Sequence, residues 1–121
     1  MSKGNGEKTD LKKLSDLELN LLVAAYAIPK EKVIPHPRNE RAAAIEYKYM
    51  PGLYTVFMPV QRPEDSFHLI KQKRIAVIPQ GKTRWMAYHE SGVSITDSKP
   101  LRAAMIVYIM LMQSTQGDNH G

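Results

Sequence analysis

The feature that most constrains this chain is an apolar run near its carboxyl end. In KPLRAAMIVYIMLMQ (residues 99–113), ten consecutive apolar residues extend from Ala103 to Met112. As a helix this segment is about 20 Å long at 1.5 Å per residue, whereas a membrane span crosses about 30 Å of hydrocarbon. A helix that is apolar on nearly every side is usually buried in a protein core. The sequence therefore predicts a central core helix ending near Met112, with no membrane anchor.

The start of this helix and one of its faces carry two further expectations. Asp97 or Ser98 can cap the first turn, and Pro100 suits the first helical position. A contact with a partner protein, or with a second copy of the chain, is the alternative use of a helix face, because methionine-rich faces adapt to partners. The residues predicted for this structural or partner role are Arg102, Met105, Ile109 and Met112.

An earlier helix is predicted from Ser15 to about Ala27. Ser15 and Glu18 have the spacing of a capping box, in which each side chain bonds the backbone N–H of the other residue. Pro29 ends the helix because the residue before a proline avoids the helical region. The apolar positions then recur with helical spacing and define one face, which consists of Leu19, Leu22, Val23 and Tyr26.

The middle of the chain is rich in proline and alanine. Residues 29–37 contain three prolines and are expected to form an extended loop. The alanine-rich segment RNERAAAIEYKYM (38–50) predicts a short helix on helix propensity. After the Pro-Gly turn at 51–52, LYTVFMPV (53–60) predicts a β-strand, because aromatic and β-branched residues favour strands.

The second half predicts a helix, a β-hairpin and a polar return. PEDSFHLIKQKR (63–74) predicts a helix with Phe67 and Ile70 on one face. RIAVI (74–78) and TRWMAYHE (83–90) predict the two strands of a hairpin, joined by PQGK. In the second strand, alternation places Trp85 and Ala87 on one face, and the opposite face carries Arg84, Met86 and Tyr88.

These elements predict one small α+β domain, in which a short antiparallel sheet with a β-hairpin packs against N- and C-terminal helices. The 121 residues suit a single compact domain. Residues 1–10 and 114–121 are polar and lack apolar periodicity, so they are expected to be a disordered leader and tail around a folded region, 11–113. The charged amino terminus has no apolar signal-peptide core, which favours a cytoplasmic location.

The composition argues against most catalytic sites. The chain contains no cysteine, which excludes disulfides, thiolate metal sites and cysteine nucleophiles. Its four histidines are widely separated, and GKT at 81–83 lacks the first glycine of a phosphate-binding loop, because position 76 is Ala. Most carboxylates lie at predicted helix starts, and none form an evident acid–base pair. No enzyme activity, metal or cofactor is predicted.

The net charge of +5 leaves a nucleic-acid-binding role open. The excess is spread thinly, as on an ordinary solvated surface. The best constellation surrounds the hairpin, where cations lie beside Trp85 and Tyr88 and can hold phosphates while aromatic rings stack on bases. Trp85 on an alternating strand is more often a core residue. Tyr47 and Tyr49 beside Lys48 form a weaker patch. The predicted nucleic-acid-binding cations are Lys71, Lys73, Arg74, Lys82 and Arg84.

Two blocks of the chain resemble a phage protein family. LSDLELNLLVA (14–24) resembles the N-terminal motif of the NinX-like proteins of lambdoid phages and prophages, and KPLRAAMIVYIMLMQ resembles their closing "NPLRAAMIVFL"-type helix. Residues 63–96 resemble the family's Asp-led helix and Trp-containing strand pair. The resemblance implies a phage or prophage origin, a soluble α+β domain and a location in the bacterial host cell. It implies no enzymatic activity.

The motif shared with this family includes Asp16, Asn20, Asp65, Trp85, Pro100, Leu101 and Arg102. Arg102 opens an otherwise apolar helix, so we expect it to pair with Asp16 or Asp65; the alternative is that its stem covers apolar surface. The leading functional hypothesis is a small phage accessory protein that acts by binding another protein or a second copy of itself. The alternative is a nucleic-acid-binding module that uses the basic and aromatic surface of the hairpin.

Overall fold

The computed structural model describes residues 10–118. A short 3-10 turn, Leu11–Lys13, precedes the first long helix. Two three-stranded antiparallel sheets have the strand orders β1-β2-β3 and β4-β5-β6. The small α+β fold predicted from the sequence is confirmed. The helices are α1 (Asp16–Ala27), α2 (Pro63–Lys73) and α3 (Pro100–Asp118), and the strands are β1 (Val33–Pro35), β2 (Ala43–Glu46), β3 (Tyr54–Phe57), β4 (Ala76–Gln80), β5 (Arg84–Tyr88) and β6 (Ser94–Asp97).

The helix α3 forms the centre of the core, as its apolar run predicts. All seven residues from Ala103 to Ile109 are buried. The helix contacts α1, α2 and the sheet β4-β5-β6, so it is covered on several sides. It continues to Asp118, beyond the boundary at 113 expected for the folded region. The predicted leader (except Asp10) and residues 119–121 of the predicted tail lie outside the described residues.

The predicted start of α1 is confirmed in detail. The backbone N–H of Glu18 donates to Ser15 Oγ at 3.1 Å, and the N–H of Ser15 donates to Glu18 Oε1 at 2.8 Å. Both bonds of the capping box are therefore present, and they satisfy two donors that the first turn leaves without partners. Leu19 and Val23 on the predicted face are fully buried.

The helix predicted over residues 38–50 is wrong. Its alanines instead form β2, the central strand of the first sheet, where Ala43 pairs with Pro35 and Phe57. Ala42, Ala43 and Ala44 are completely buried. Helix propensity differs among residues by only about 0.7 kcal/mol or less, so pairing with two strands and burial outweigh the preference of alanine for helix.

Two segments expected to be irregular also contain strands. Val33–Pro35 in the proline-rich segment forms the edge strand β1, and Ser94–Asp97 in the polar return forms β6. Both pair with a neighbouring strand that supplies their backbone partners. The hairpin of β4 and β5 is confirmed, with Gly81 at φ 70 in its turn. The helix α2 begins at Pro63 as predicted, but Phe67 is 59% exposed and does not share an inward face with Ile70.

Candidate functional site

The side chain of Arg102 joins three segments of the chain at the start of α3. Its guanidinium donates to Asp16 Oδ1 at 2.7 Å and to Asp97 Oδ2 at 3.3 Å. It also donates to the carbonyl oxygens of Lys12 at 3.0 Å and Leu14 at 2.7 Å. Only 12% of the side chain is exposed. The predicted pair with Asp16 is confirmed, and Arg102 thereby ties α3 to the start of α1 and the end of β6.

Asp16 receives a second arginine from the opposite side. Arg41 Nη2 donates to Asp16 Oδ2 at 2.9 Å, and Gln61 Nε2 lies 3.4 Å from the same oxygen. Burial alone would raise the pKa of Asp16, but the hydrogen bond from Arg41 and the charge of Arg102 outweigh it and lower this pKa below its ordinary value. The carboxylate therefore stays ionised at neutral pH and is poorly suited to act as a base.

The buried amide of Asn20 extends this network below the surface. Its Nδ2 donates to the carbonyl oxygen of Arg41 at 2.9 Å and to Gln61 Oε1 at 3.0 Å, and its Oδ1 accepts from the N–H of Val60 at 3.0 Å. Asn20 is completely buried, so a missing partner would be costly. The amide holds α1 against the segment before β2 and the segment after β3.

Asp65 fixes the same region from α2. Its Oδ2 accepts from the backbone N–H of Met58 at 2.9 Å and lies 3.4 Å from Arg62 Nε. The predicted alternative, a pair between Asp65 and Arg102, is not formed, because Arg102 is fully engaged with Asp16 and Asp97. These polar contacts hold separate segments of the chain together.

The five cations predicted to bind nucleic acid do not form one cluster. Lys71, Lys73 and Arg74 lie at the end of α2, next to the start of β4. Lys82 and Arg84 lie at the turn between β4 and β5, where Arg84 pairs with Gln80. The length of β4, about 13 Å at 3.3 Å per residue, separates the two groups. Lys71 also lies over the ring of Phe67, with 5.8 Å between its Nζ and the ring centroid.

The two aromatic residues of β5 point to opposite faces of their sheet. Trp85 is half-buried and shares the face of Ala87, which is completely buried in the core. Tyr88 lies on the outer face and is 40% exposed. The alternation in the sequence predicts this division. Tyr88 is therefore the more exposed of the two aromatic side chains of this hairpin.

Burial divides the residues predicted for a structural or partner role in the last helix. Met105 and Ile109 are completely buried, so both side chains form the chain's own core. Arg102 belongs to the polar network described above. Met112 is half-buried against the core cluster, and its use by a partner stays a prediction.

Exposed apolar side chains are concentrated at a different place, the loop of residues 47–53 between β2 and β3. We call it the β2–β3 loop. Tyr49 is 85% exposed and Met50 is 58% exposed. Tyr47 and Leu53 are exposed as well, at 48% and 45%. The sequence indicated Tyr47 and Tyr49 as a weak patch but gave no signal for Met50 and Leu53, because the helix predicted there hid the hairpin.

A comparison with protein-family models identifies the family of this chain. The model described as "Bacteriophage P22, NinX" matches residues 10–113. The chain belongs to the NinX phage protein family. No curated protein matches the chain. The predicted family resemblance is confirmed, and the chain is a phage-type accessory protein.

The structure gives physical roles to the motif residues of this NinX-family chain. Asp16, Asn20 and Arg102 form the network that joins α1 and α3, and Asp65 anchors the segment after β3. Pro100 occupies the first position of α3. A backbone N–H at this position would have no partner within the helix, so its absence in proline costs no hydrogen bond. The resemblance is therefore carried in large part by residues that hold the NinX fold together.

Metal-ligating residues, a histidine–serine contact and the long helices are the remaining candidate features of this NinX-family chain. Within residues 10–118, no group of three or more His, Cys, Asp or Glu side chains could hold a metal ion. His89 Nδ1 lies 2.8 Å from Ser91 Oγ and also accepts from the N–H of Ser91, which is the geometry of a local turn. No helix in the described part of the chain is both long enough and apolar enough to cross a membrane.

Proposed function

We propose that this phage accessory protein acts by binding a protein, either a different one or a second copy of itself, through the β2–β3 loop. The observation that carries the proposal is the distribution of exposed apolar side chains. Of the seven large hydrophobic residues exposed in the described chain, four lie in this loop of seven residues. Apolar side chains exposed together, rather than singly, mark interaction sites, and tyrosines are frequent among the residues that dominate binding energy.

The loop is held in shape before any partner arrives. The N–H of Tyr47 donates to the carbonyl oxygen of Leu53 at 2.9 Å, and the N–H of Leu53 donates to that of Met50 at 3.0 Å. Gly52, at φ 89, donates its N–H to Glu46 Oε2 at 3.1 Å. A loop ordered by its own hydrogen bonds loses little conformational freedom on binding, which favours affinity.

The charge of the β2–β3 loop indicates which charge a partner would carry around its binding pocket. The carboxylate of Glu46 is engaged by Lys32 at 2.8 Å and by the N–H of Gly52. Lys48 lies 5.5 Å from the centroid of the Tyr49 ring and carries the only formal charge within residues 47–53. A partner pocket that is apolar inside and acidic at its rim would match this surface.

The test compares truncation of the loop with truncation of an equally exposed site. Tyr49→Ala/Met50→Ala removes two exposed side chains, and Phe67→Ala removes one that is 59% exposed on α2. Tagged wild-type protein and both variants are used to capture proteins from host-cell lysate, with quantification by mass spectrometry. Light scattering on the purified proteins detects self-association.

We expect a captured protein, or a dimer of the chain, that the wild type and Phe67→Ala retain and the double variant loses. Truncation of a dominant contact costs about 2 kcal/mol or more, so binding should weaken at least about 30-fold. Equal capture by all three proteins would contradict the proposal. So would a monomeric wild type that captures nothing.

A further inference from the structure

The second sheet leaves one face without a covering element among the described residues. Its inner face meets α3 through Ala87, which is completely buried, and through the half-buried Val77 and Ile95. The opposite face, which we call the outer sheet face, has exposed or half-buried side chains and no carboxylate at any of its positions. These positions are Ala76, Ile78, Gln80, Arg84, Met86, Tyr88, Ser94 and Thr96.

Tyr88 is the exposed aromatic side chain of the outer sheet face, at 40% exposure. Its neighbours across the strands are Ala76 and Ser94, two small residues that leave space beside the ring. The next row of the sheet carries Ile78, which is 43% exposed, and Met86. An exposed ring between small neighbours, followed by an apolar row, is a surface on which the planar face of a base can stack.

Cations lie at both ends of this aromatic and apolar patch. Arg84 and Lys82 lie at the β4–β5 turn, and Arg84 Nη2 donates to the carbonyl oxygen of Thr96 at 3.3 Å, so its side chain extends over the sheet towards β6. Arg74 lies two residues before Ala76, at the other end of β4. Asp97, next to Thr96 in sequence, lies at an inner-face position and pairs with Arg102, and Glu90 lies in the turn after β5. Arg84 is therefore the one formal charge at the outer-face positions, and Lys82 and Arg74 flank these positions in sequence.

The conformation of Arg74 supports its inclusion. It has φ 56 and ψ 49 at the end of α2, a left-handed conformation that usually holds glycine. A side chain at such a position costs about 1–2 kcal/mol. An arginine therefore occupies this position, two residues before the outer-face residue Ala76, at the expense of backbone strain.

We propose that the outer sheet face binds a single-stranded polynucleotide, with Tyr88 stacking on a base and Arg84, Lys82 and Arg74 contacting phosphates. Lys71 and Lys73 are not part of this surface, because Lys71 lies over Phe67 on α2 and Lys73 is half-buried. The residues proposed here differ from those predicted from the sequence in two ways. Lys71 and Lys73 are left out, and only Tyr88 of the two aromatic residues, Trp85 and Tyr88, serves for stacking. The proposal concerns a different surface from the β2–β3 loop and stands independently of it.

The test measures fluorescence anisotropy of labelled oligonucleotides of about 12 residues, a length within the range covered by single-strand binding modules. Oligo(dT), oligo(U) and a DNA duplex are titrated with the full-length protein at about 50 mM salt and then at rising salt. We expect binding of a single strand, weaker binding of the duplex and a linear fall of log K with log salt. With three phosphate contacts, the slope should be about −2.

Four variants separate the roles of the residues. Tyr88→Ala should weaken binding about tenfold or more through lost stacking, whereas Tyr88→Phe keeps the ring and should retain affinity. Arg84→Gln should reduce the magnitude of the salt slope by about 0.7. Arg74→Gly should weaken binding while raising thermal stability, because glycine relieves the left-handed strain; this combination cannot come from unfolding. Tyr49→Ala is the matched control on the β2–β3 loop and should bind the strand like wild type.

No anisotropy change at about 50 mM salt would overturn the proposal. Equal affinities for wild type and a folded Tyr88→Ala variant would overturn it too. If Tyr88→Ala instead abolished capture of a protein partner, the outer sheet face would be a protein interface and the proposal would be wrong. Failure of the β2–β3 loop experiment leaves these outcomes untouched, because its variants lie elsewhere.

Discussion

Replacement of Arg102 by alanine is expected to destabilise the fold by about 3 kcal/mol. The guanidinium donates four hydrogen bonds and is 12% exposed. Removal of one partner from a buried ion pair costs about 3–5 kcal/mol. The lower end of this range applies to Arg102→Ala, because both carboxylates keep another donor. Asp16 still accepts from Arg41, and Asp97 Oδ1 still accepts from the N–H of Lys99 at 3.0 Å. The carbonyl oxygens of Lys12 and Leu14 lose this donor.

Arg41 provides a matched control on the same carboxylate. It also donates to Asp16, at 2.9 Å, but its side chain is 58% exposed. Exposed ion pairs contribute about 0–1 kcal/mol, so Arg41→Ala should cost a small fraction of what Arg102→Ala costs. Arg102→Lys should fall between the two, because an ammonium keeps the charge but lacks the planar fork that reaches several acceptors at once.

The assays are thermal unfolding and urea unfolding of the three variants and the wild type, both monitored by far-ultraviolet circular dichroism. A loss of about 3 kcal/mol should lower the midpoint temperature by about 10–15 °C for a domain of this size. The slope of free energy against urea should stay unchanged if only stability is affected. Equal costs for Arg102→Ala and Arg41→Ala would refute the reasoning, since it rests on the difference in burial around one carboxylate.

Three further expectations follow from the same contacts. The pKa of Asp16 is lower in the folded chain than the ordinary value of about 3.9. The contribution of Asp16 to folding stability is therefore fully present above that value and is lost as pH falls below it. The stability of Asp16→Asn should consequently depend less on pH in this acidic range than the stability of the wild type. Asn20→Ala should cost about 1–3 kcal/mol in urea unfolding, because it leaves the buried N–H of Val60 without its acceptor. A loss under about 1 kcal/mol would mean that water replaces the amide. Ser15→Ala should lower the free energy of unfolding by about 1 kcal/mol in the same urea experiment, because α1 loses its N-cap. An unchanged free energy of unfolding would show that the cap does not stabilise the fold.

Local sequence signals predicted the helices well because their determinants lie close together along the chain. Ser15 and Glu18 are three residues apart and cap α1 by themselves. Pro63 opens α2 as expected, and the unbroken apolar run of α3 leaves burial as its stable solution. The division of β5 into an inner and an outer face also follows from alternation alone.

The same local signals failed for the first sheet. The alanines of β2 favour a helix when considered alone, and only the neighbouring strands β1 and β3 make the extended form preferable. The strand β6 carries polar residues and gains its place by pairing with β5. The error hid the β2–β3 loop, so the exposed side chains of Met50 and Leu53 were not anticipated.

The sequence by itself determined the α+β class, the ends of α1 and α2, the start of α3, the burial of α3 and the membership of the NinX family. It also indicated that Arg102 needs an acidic partner, because a charge in an apolar helix is unstable alone. The tertiary structure chose Asp16, 86 residues away, and separated the five predicted cations between two ends of a strand. The reason is physical: caps and periodicity act over a few residues, whereas ion pairs and surfaces depend on which distant segments the core brings together.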